Sequence, residues 1–136
     1  MKQPQLLHEK TYNVFDGVGV SRHLPELCTE LLSEQQKAWQ DLWQGCESLK
    51  HIRLREILCN GFSVRIQYNP GRVKSSLANV GKKSVSERPC FLCLNNLPED
   101  QKGILYKKEY LILCNPAPVF PSHFTISHVD HRPQAI

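Results

Sequence analysis

The sequence contains no apolar run approaching the ~20 residues that a membrane helix needs. Its first residues, Met1-Lys2-Gln3-Pro4-Gln5, lack the apolar segment of a secretory signal. Together these absences predict a cytoplasmic protein without a membrane partner. No strong charge of either sign is present: 17 Lys and Arg against 13 Asp and Glu give a formal +4. That excess suits an anionic small molecule and falls short of a nucleic-acid stripe. With no secretory signal, the six cysteines do not argue for a disulfide framework. Cys28, in a helical pattern, and Cys59, at a strand end, read as buried thiols. Only Cys90 and Cys93 are spaced as a pair of ligands.

What is present fits one domain, because 136 residues can bury one hydrophobic core. Residues 1–20 show no sustained period, and Asp16-Gly17-Val18-Gly19 reads as a loop, so they are expected to form an N-terminal arm. Residues 21–136 then make up the domain. Ser21 can cap a helix with Pro25 and Glu26 in its first turn. Leu24, Leu27, Leu31, Ala38 and Leu42 follow at helical spacing to about Cys46, and Trp39 and Trp43 extend that face. This predicts a helix packed on a sheet. Past Gly45 the period becomes two, and Asn60-Gly61 between two alternating runs predicts a β-hairpin.

The hairpin leads into Asn69-Pro70-Gly71-Arg72-Val73-Lys74-Ser75-Ser76. Two cations and two hydroxyls emerge there close together, which suits a bound phosphate or, equally, a solvated basic loop. Cys90-Phe91-Leu92-Cys93 can turn both thiolates toward one ion, and zinc normally takes two further Cys or His ligands. A redox pair is the competing reading, but such a pair normally opens a helix, and Asn95-Asn96-Leu97-Pro98 does not resemble one. Lys102 to Ile104 reads as a turn and Tyr110 to Cys114 as a buried strand. Asn115-Pro116-Ala117-Pro118 then bends the chain, because its prolines offer no amide donors to a ladder. A second strand is expected at His123 to Ser127, with His128 and His131 just past it. His123 alone reads as a hydrogen-bonded core histidine.

The stretch from Asn115 to His131 resembles the strand-bend-strand unit of the histidine-triad (HIT-like) superfamily. Cys90-Phe91-Leu92-Cys93 resembles the zinc motif of the galactose-1-phosphate uridylyltransferase branch, and Asn69-Pro70-Gly71-Arg72-Val73-Lys74 resembles that branch's Pro-x-Arg-x-Lys turn. The helix and hairpin look like those of uncharacterised bacterial families, DUF4922-like, grouped with GDP-galactose and dinucleoside polyphosphate phosphorylases. The resemblance implies an α+β fold: an N-terminal helix on a mostly antiparallel sheet made of the hairpin and the two strands around Asn115 to Ser127. As an incomplete HIT-like fold it would leave an open sheet edge, which would favour a homodimer.

The resemblance further implies that Cys90, Cys93 and His131 bind Zn2+, with a fourth histidine near the catalytic motif. Asn115 would contact a nucleotide ribose, Arg72 and Lys74 would face phosphate, and His123 would be structural. His128 has no counterpart. The family's nucleophile, the central histidine of a His-x-His segment, is absent from this sequence. The expectation is therefore the N-terminal portion of a nucleotidyltransferase or phosphorylase, inactive alone, whose partner is a nucleotide or nucleotide-sugar. A non-catalytic zinc-stabilised nucleotide- or protein-binding module is the alternative, and a dithiol redox protein using Cys90 and Cys93 comes third.

Overall fold

A computed structural model describes residues 4–17 and 22–132. Its centre is a four-stranded sheet in the order β1-β4-β5-β6, from β1 (Thr11–Phe15), β4 (Gly103–Tyr106), β5 (Tyr110–Cys114) and β6 (Phe124–His128). The β4-β5 and β5-β6 pairs are antiparallel, whereas β1 lies parallel to β4. The fold is α+β with a mostly antiparallel sheet, as expected. Among the described residues, no helix is long and apolar enough to cross a membrane.

Alternation along β4 and β5 sends side chains to two faces, and both are covered. Ile104, Ile112 and Cys114 pack with Leu27, Leu31, Trp39 and Leu42 from α2 (Leu24–Ala38) and α3 (Gln40–Ser48). On the other face, Leu111 and Leu113 pack with Leu7 of α1 (Pro4–Glu9) and with Leu94 and Leu97. Double coverage explains why Tyr110-Leu111-Ile112-Leu113-Cys114 is apolar without a break.

Several expectations need correction. The N-terminal segment is no loose arm: Leu7 is buried, β1 pairs with β4, and Lys10 Nζ donates to the Pro98 and Glu99 carbonyls at 2.6 and 3.0 Å. A six-residue helix and a five-residue strand with a register shift between Thr11 and Asn13 are too short to show a period. The proposed cap at Ser21 lies outside the described residues. His23 precedes α2 instead, its N–H donating to Glu26 Oε2 at 3.4 Å.

The long helix is two helices. Trp39 adopts an extended conformation (φ −122°, ψ 104°) between α2 and α3 while burying its indole in the core. The bend turns α3 onto the sheet end, where Gly45 lies so close to the Pro116 carbonyl that a Cβ would come within 2.0 Å of the oxygen. Trp43 does not extend the buried face; the residue is 47% exposed.

Lys102 to Ile104 is not a turn. Gly103 starts β4, and its missing Cβ admits the Ile112 carbonyl and Leu113 side chain across the ladder. The true turn follows at Lys107 and Lys108, both at positive φ (49° and 58°). The last strand begins one residue later than expected, at Phe124, and includes His128.

The hairpin forms as expected from β2 (Arg53–Cys59) and β3 (Phe62–Tyr68), with Gly61 at φ +84° in the turn. It is a separate two-stranded sheet and no part of the central one. Cys59 pairs with Phe62, so Phe62, Val64, Ile66 and Tyr68 share a face with Ile57 and Cys59 and, at its far end, with Arg53 and Arg55, while Leu54 and Leu58 share the other with Glu56, Arg65, Gln67 and Ser63. A two-residue turn fixes this pairing, and neither face is apolar throughout. Past the hairpin, α4 (Val73–Ser76) and α5 (Lys82–Glu87) continue as short exposed helices.

Candidate metal centre and adjoining cleft

The cysteine pair sits in a tight turn fixed by its backbone: Cys93 N–H donates to the Cys90 carbonyl at 3.2 Å, and Asn96 Nδ2 donates to the same oxygen at 2.8 Å. A short 3-10 turn, Leu94–Asn96, follows, and Leu94 and Leu97 anchor it on the sheet beside Leu7, Leu111 and Leu113. Beyond β6 the Val129 amide donates to the Glu109 carbonyl at 2.9 Å, and Val129 packs on the same cluster. These two anchors carry His131 back over the cysteine turn.

The ligand atoms of Cys90, Cys93 and His131 lie within 4.8 Å of one another, with Cys93 Sγ 3.2 Å from His131 Nδ1. Bonds of about 2.0–2.3 Å give a tetrahedron edges of about 3.3–3.8 Å, so the three atoms lie near enough to share one ion after small side-chain adjustments. Burial pushes the Cys93 thiol up from its ordinary value, and the neighbouring Cys90 thiol adds to the shift. A cation between them would reverse that tendency, since a coordinating thiol gives up its proton. A redox cysteine needs the opposite, a stabilised thiolate, commonly at a helix N-terminus, which this turn does not supply. The arrangement is a triad of side chains that could hold one metal ion.

His128 is not part of it. Its Nδ1 accepts from the Asp130 amide at 2.9 Å, its Nε2 lies 3.5 Å from Glu109 Oε1, and Tyr110 meets its ring edge-on. Among the described residues the cluster has these three members.

The residues expected to meet a nucleotide are dispersed. Asn115 spends its side chain on the bend: Oδ1 accepts from the Ala117 amide at 2.9 Å and Nδ2 donates to Thr125 Oγ1 at 3.4 Å. It also lines a cavity of about 490 Å3 between α3 and the Pro118–His123 loop. Lys74 lines a different one, about 700 Å3, between α3 and Pro70-Gly71. Arg72 borders neither, and its Nε is buried without a hydrogen-bond partner among the described residues. His123 Nδ1 accepts from the Val119 amide at 3.2 Å, the structural role expected of it.

Two lining residues of the Asn115 cavity escaped sequence reasoning, Trp43 and Phe120. Trp43 falls at core spacing on its helix, and nothing in the periodicity says that the break at Trp39 turns it outward. Phe120 lies in a proline-rich loop where no period marks it.

Residues 31–136 match the family described as Domain of unknown function (DUF4922). The chain belongs to this family. No curated protein and no solved structure matches it. The DUF4922 match begins within α2 and takes in α3, the hairpin, the cysteine turn and β4 to β6, leaving α1 and β1 outside.

Proposed function

We propose that this chain is the substrate-holding part of a HIT-like nucleotidyltransferase or phosphorylase acting on a nucleoside diphosphate-sugar or a dinucleoside polyphosphate. One observation carries the proposal: two thiols and an imidazole 38 residues further on converge on one point, as the resemblance to that superfamily requires. Zinc is the metal that suits two soft sulfurs and a nitrogen, and bound there it would tie the cysteine turn to the segment after β6. Its role in this chain is to hold shape.

In such an enzyme an imidazole attacks the α-phosphorus, the bond to the leaving phosphate breaks, and donors stabilise the oxygens of the transition state. Neither His123 nor His128 is free to attack, since each is hydrogen-bonded within the fold. In this reading the attacking imidazole belongs to a His-x-His segment, which residues 1–136 do not contain. Arg72 and Lys74 supply positive charge after the hairpin, and Asn115 fixes the bend beside the cleft between α3 and the Pro118–His123 loop.

Metal analysis of the purified chain tests this. About one zinc per chain is expected, and Cys90→Ser should lower both zinc content and stability, because metal binding is linked to folding. Equal zinc in the variant would refute the site. A longer polypeptide carrying a His-x-His should form a covalent nucleotidyl adduct; a natural product with no such segment would defeat the enzyme reading.

The second reading, a non-catalytic zinc-stabilised module, is favoured by the separation of Asn115 and Lys74 into two cavities. Zinc with neither mononucleotide affinity nor turnover in the longer polypeptide would select a protein-binding module.

A further inference from the structure

The cleft beside Asn115 combines features that ordinary packing does not require. Trp43 and Phe120 both line it, and both residues are about half exposed (47% and 54%). Buried aromatic rings contribute heavily to a core, so two rings held at the mouth of one cavity forgo that gain. The loop opposite α3 holds Ser122 at φ +60°, a conformation disfavoured for a residue with a side chain. In the same loop Phe120 packs against His123, ring centroids 4.8 Å apart. The His123 ring in turn accepts from the Val119 amide, which ties the aromatic wall to the loop backbone.

The other wall offers polar groups. Gln36 and Glu47 line the cavity from α2 and α3, and Lys50 Nζ holds Glu47 Oε1 at 2.6 Å. Aromatic faces together with an amide and an oriented carboxylate form a receptor for a flat ring with hydrogen-bonding edges. At about 490 Å3 the cavity also has the size of a small-molecule site.

We propose that this cleft binds the heterocyclic base of a nucleoside, with Trp43 and Phe120 as its stacking surfaces and Gln36 and Glu47 at its polar edge. The assignment rests on the nucleotide function proposed above and adds the residues that would hold the base.

Titration calorimetry on the full zinc-loaded chain with adenosine and guanosine tests it, with ribose 5-phosphate and N-acetyl-tryptophanamide as controls. At least one nucleoside should bind and neither control should. Trp43→Leu, which keeps an apolar side chain but removes the ring, should weaken binding ~10-fold or more, with zinc content and circular dichroism unchanged. Phe120→Leu should do the same, while Lys82→Ala, on the distant exposed α5, should leave affinity unaltered. Binding of ribose 5-phosphate as tight as that of the nucleosides, or unchanged affinity in both ring variants, would overturn the proposal, as would a failure of both nucleosides to bind. The two ideas can fail separately. Trp43-dependent nucleoside binding without any covalent adduct in a longer polypeptide would remove the enzyme reading and leave the base site standing. Adduct formation with unaltered KM in Trp43→Leu would do the reverse.

Discussion

The hairpin and the central sheet are both built from strands, yet one is nearly all surface and the other carries the core in its middle strands. In β5, four of five residues are buried, whereas in β2 all seven are exposed. The difference lies in what covers the strands more than in their composition. In the central sheet, the apolar side chains of neighbouring strands fall on faces covered by α2 and α3 or by α1 and the cysteine turn. In the hairpin Ile57, Cys59, Phe62, Val64, Ile66 and Tyr68 gather on one face, but among the described residues nothing covers that face and its side chains stay exposed. Strand formation and burial are thus separate properties, and alternation reports only the first.

The sharpest way to break this contrast is to cut matched leucines. Leu31→Ala removes a fully buried side chain from under the sheet and should cost about 2–5 kcal/mol, whereas Leu58→Ala, at 84% exposure in the hairpin, should stay within about 0.5 kcal/mol. Urea unfolding of the pair measures both; equal losses would mean that the hairpin is covered after all. The glycines sharpen the same point. Gly45→Ala must displace the Pro116 carbonyl and should cost about 1–3 kcal/mol, as overpacking does. Gly61→Ala meets no neighbouring atom and pays only for its positive φ, so it should cost about 1 kcal/mol.

A smaller effect depends on pH. Burial pushes the Cys114 thiol up to about 12, aided by Cys46 and Cys28 nearby. The folded chain therefore keeps this proton where the unfolded chain has lost it. The thiol's contribution is complete below the unfolded value near 9 and falls away as pH rises toward 12. Cys114→Ala should flatten that part of the stability-against-pH curve relative to the parent protein, whereas Cys59→Ala, in the exposed hairpin, should not. Identical alkaline curves for parent and Cys114→Ala would contradict the account.

The sequence made some of this readable and concealed the rest for physical reasons. Asn60-Gly61 announced the hairpin because a two-residue turn with positive φ leaves few alternatives. The Tyr110 to Cys114 strand was legible from its unbroken apolar run. What Gly103 does was hidden, because a glycine that admits a neighbouring carbonyl and one that makes a turn look the same in a string of letters. The parallel β1-β4 pair was hidden for a different reason: it joins segments about ninety residues apart, and local patterning does not reach so far. Of the site, Cys90 and Cys93 were visible from spacing, but His131 came only from the resemblance, since its return depends on where β6 ends and Val129 packs. Trp43 was read as core because a single extended residue at Trp39 changes which side of the next helix faces inward.

X-ray absorption at the zinc edge of the full chain tests the metal centre most directly. Two sulfur scatterers at about 2.3 Å and at least one imidazole nitrogen at about 2.0 Å are expected, with one sulfur lost in Cys93→Ser. A zinc shell without sulfur, or a purified protein that takes up no zinc, would contradict the assignment of Cys90, Cys93 and His131.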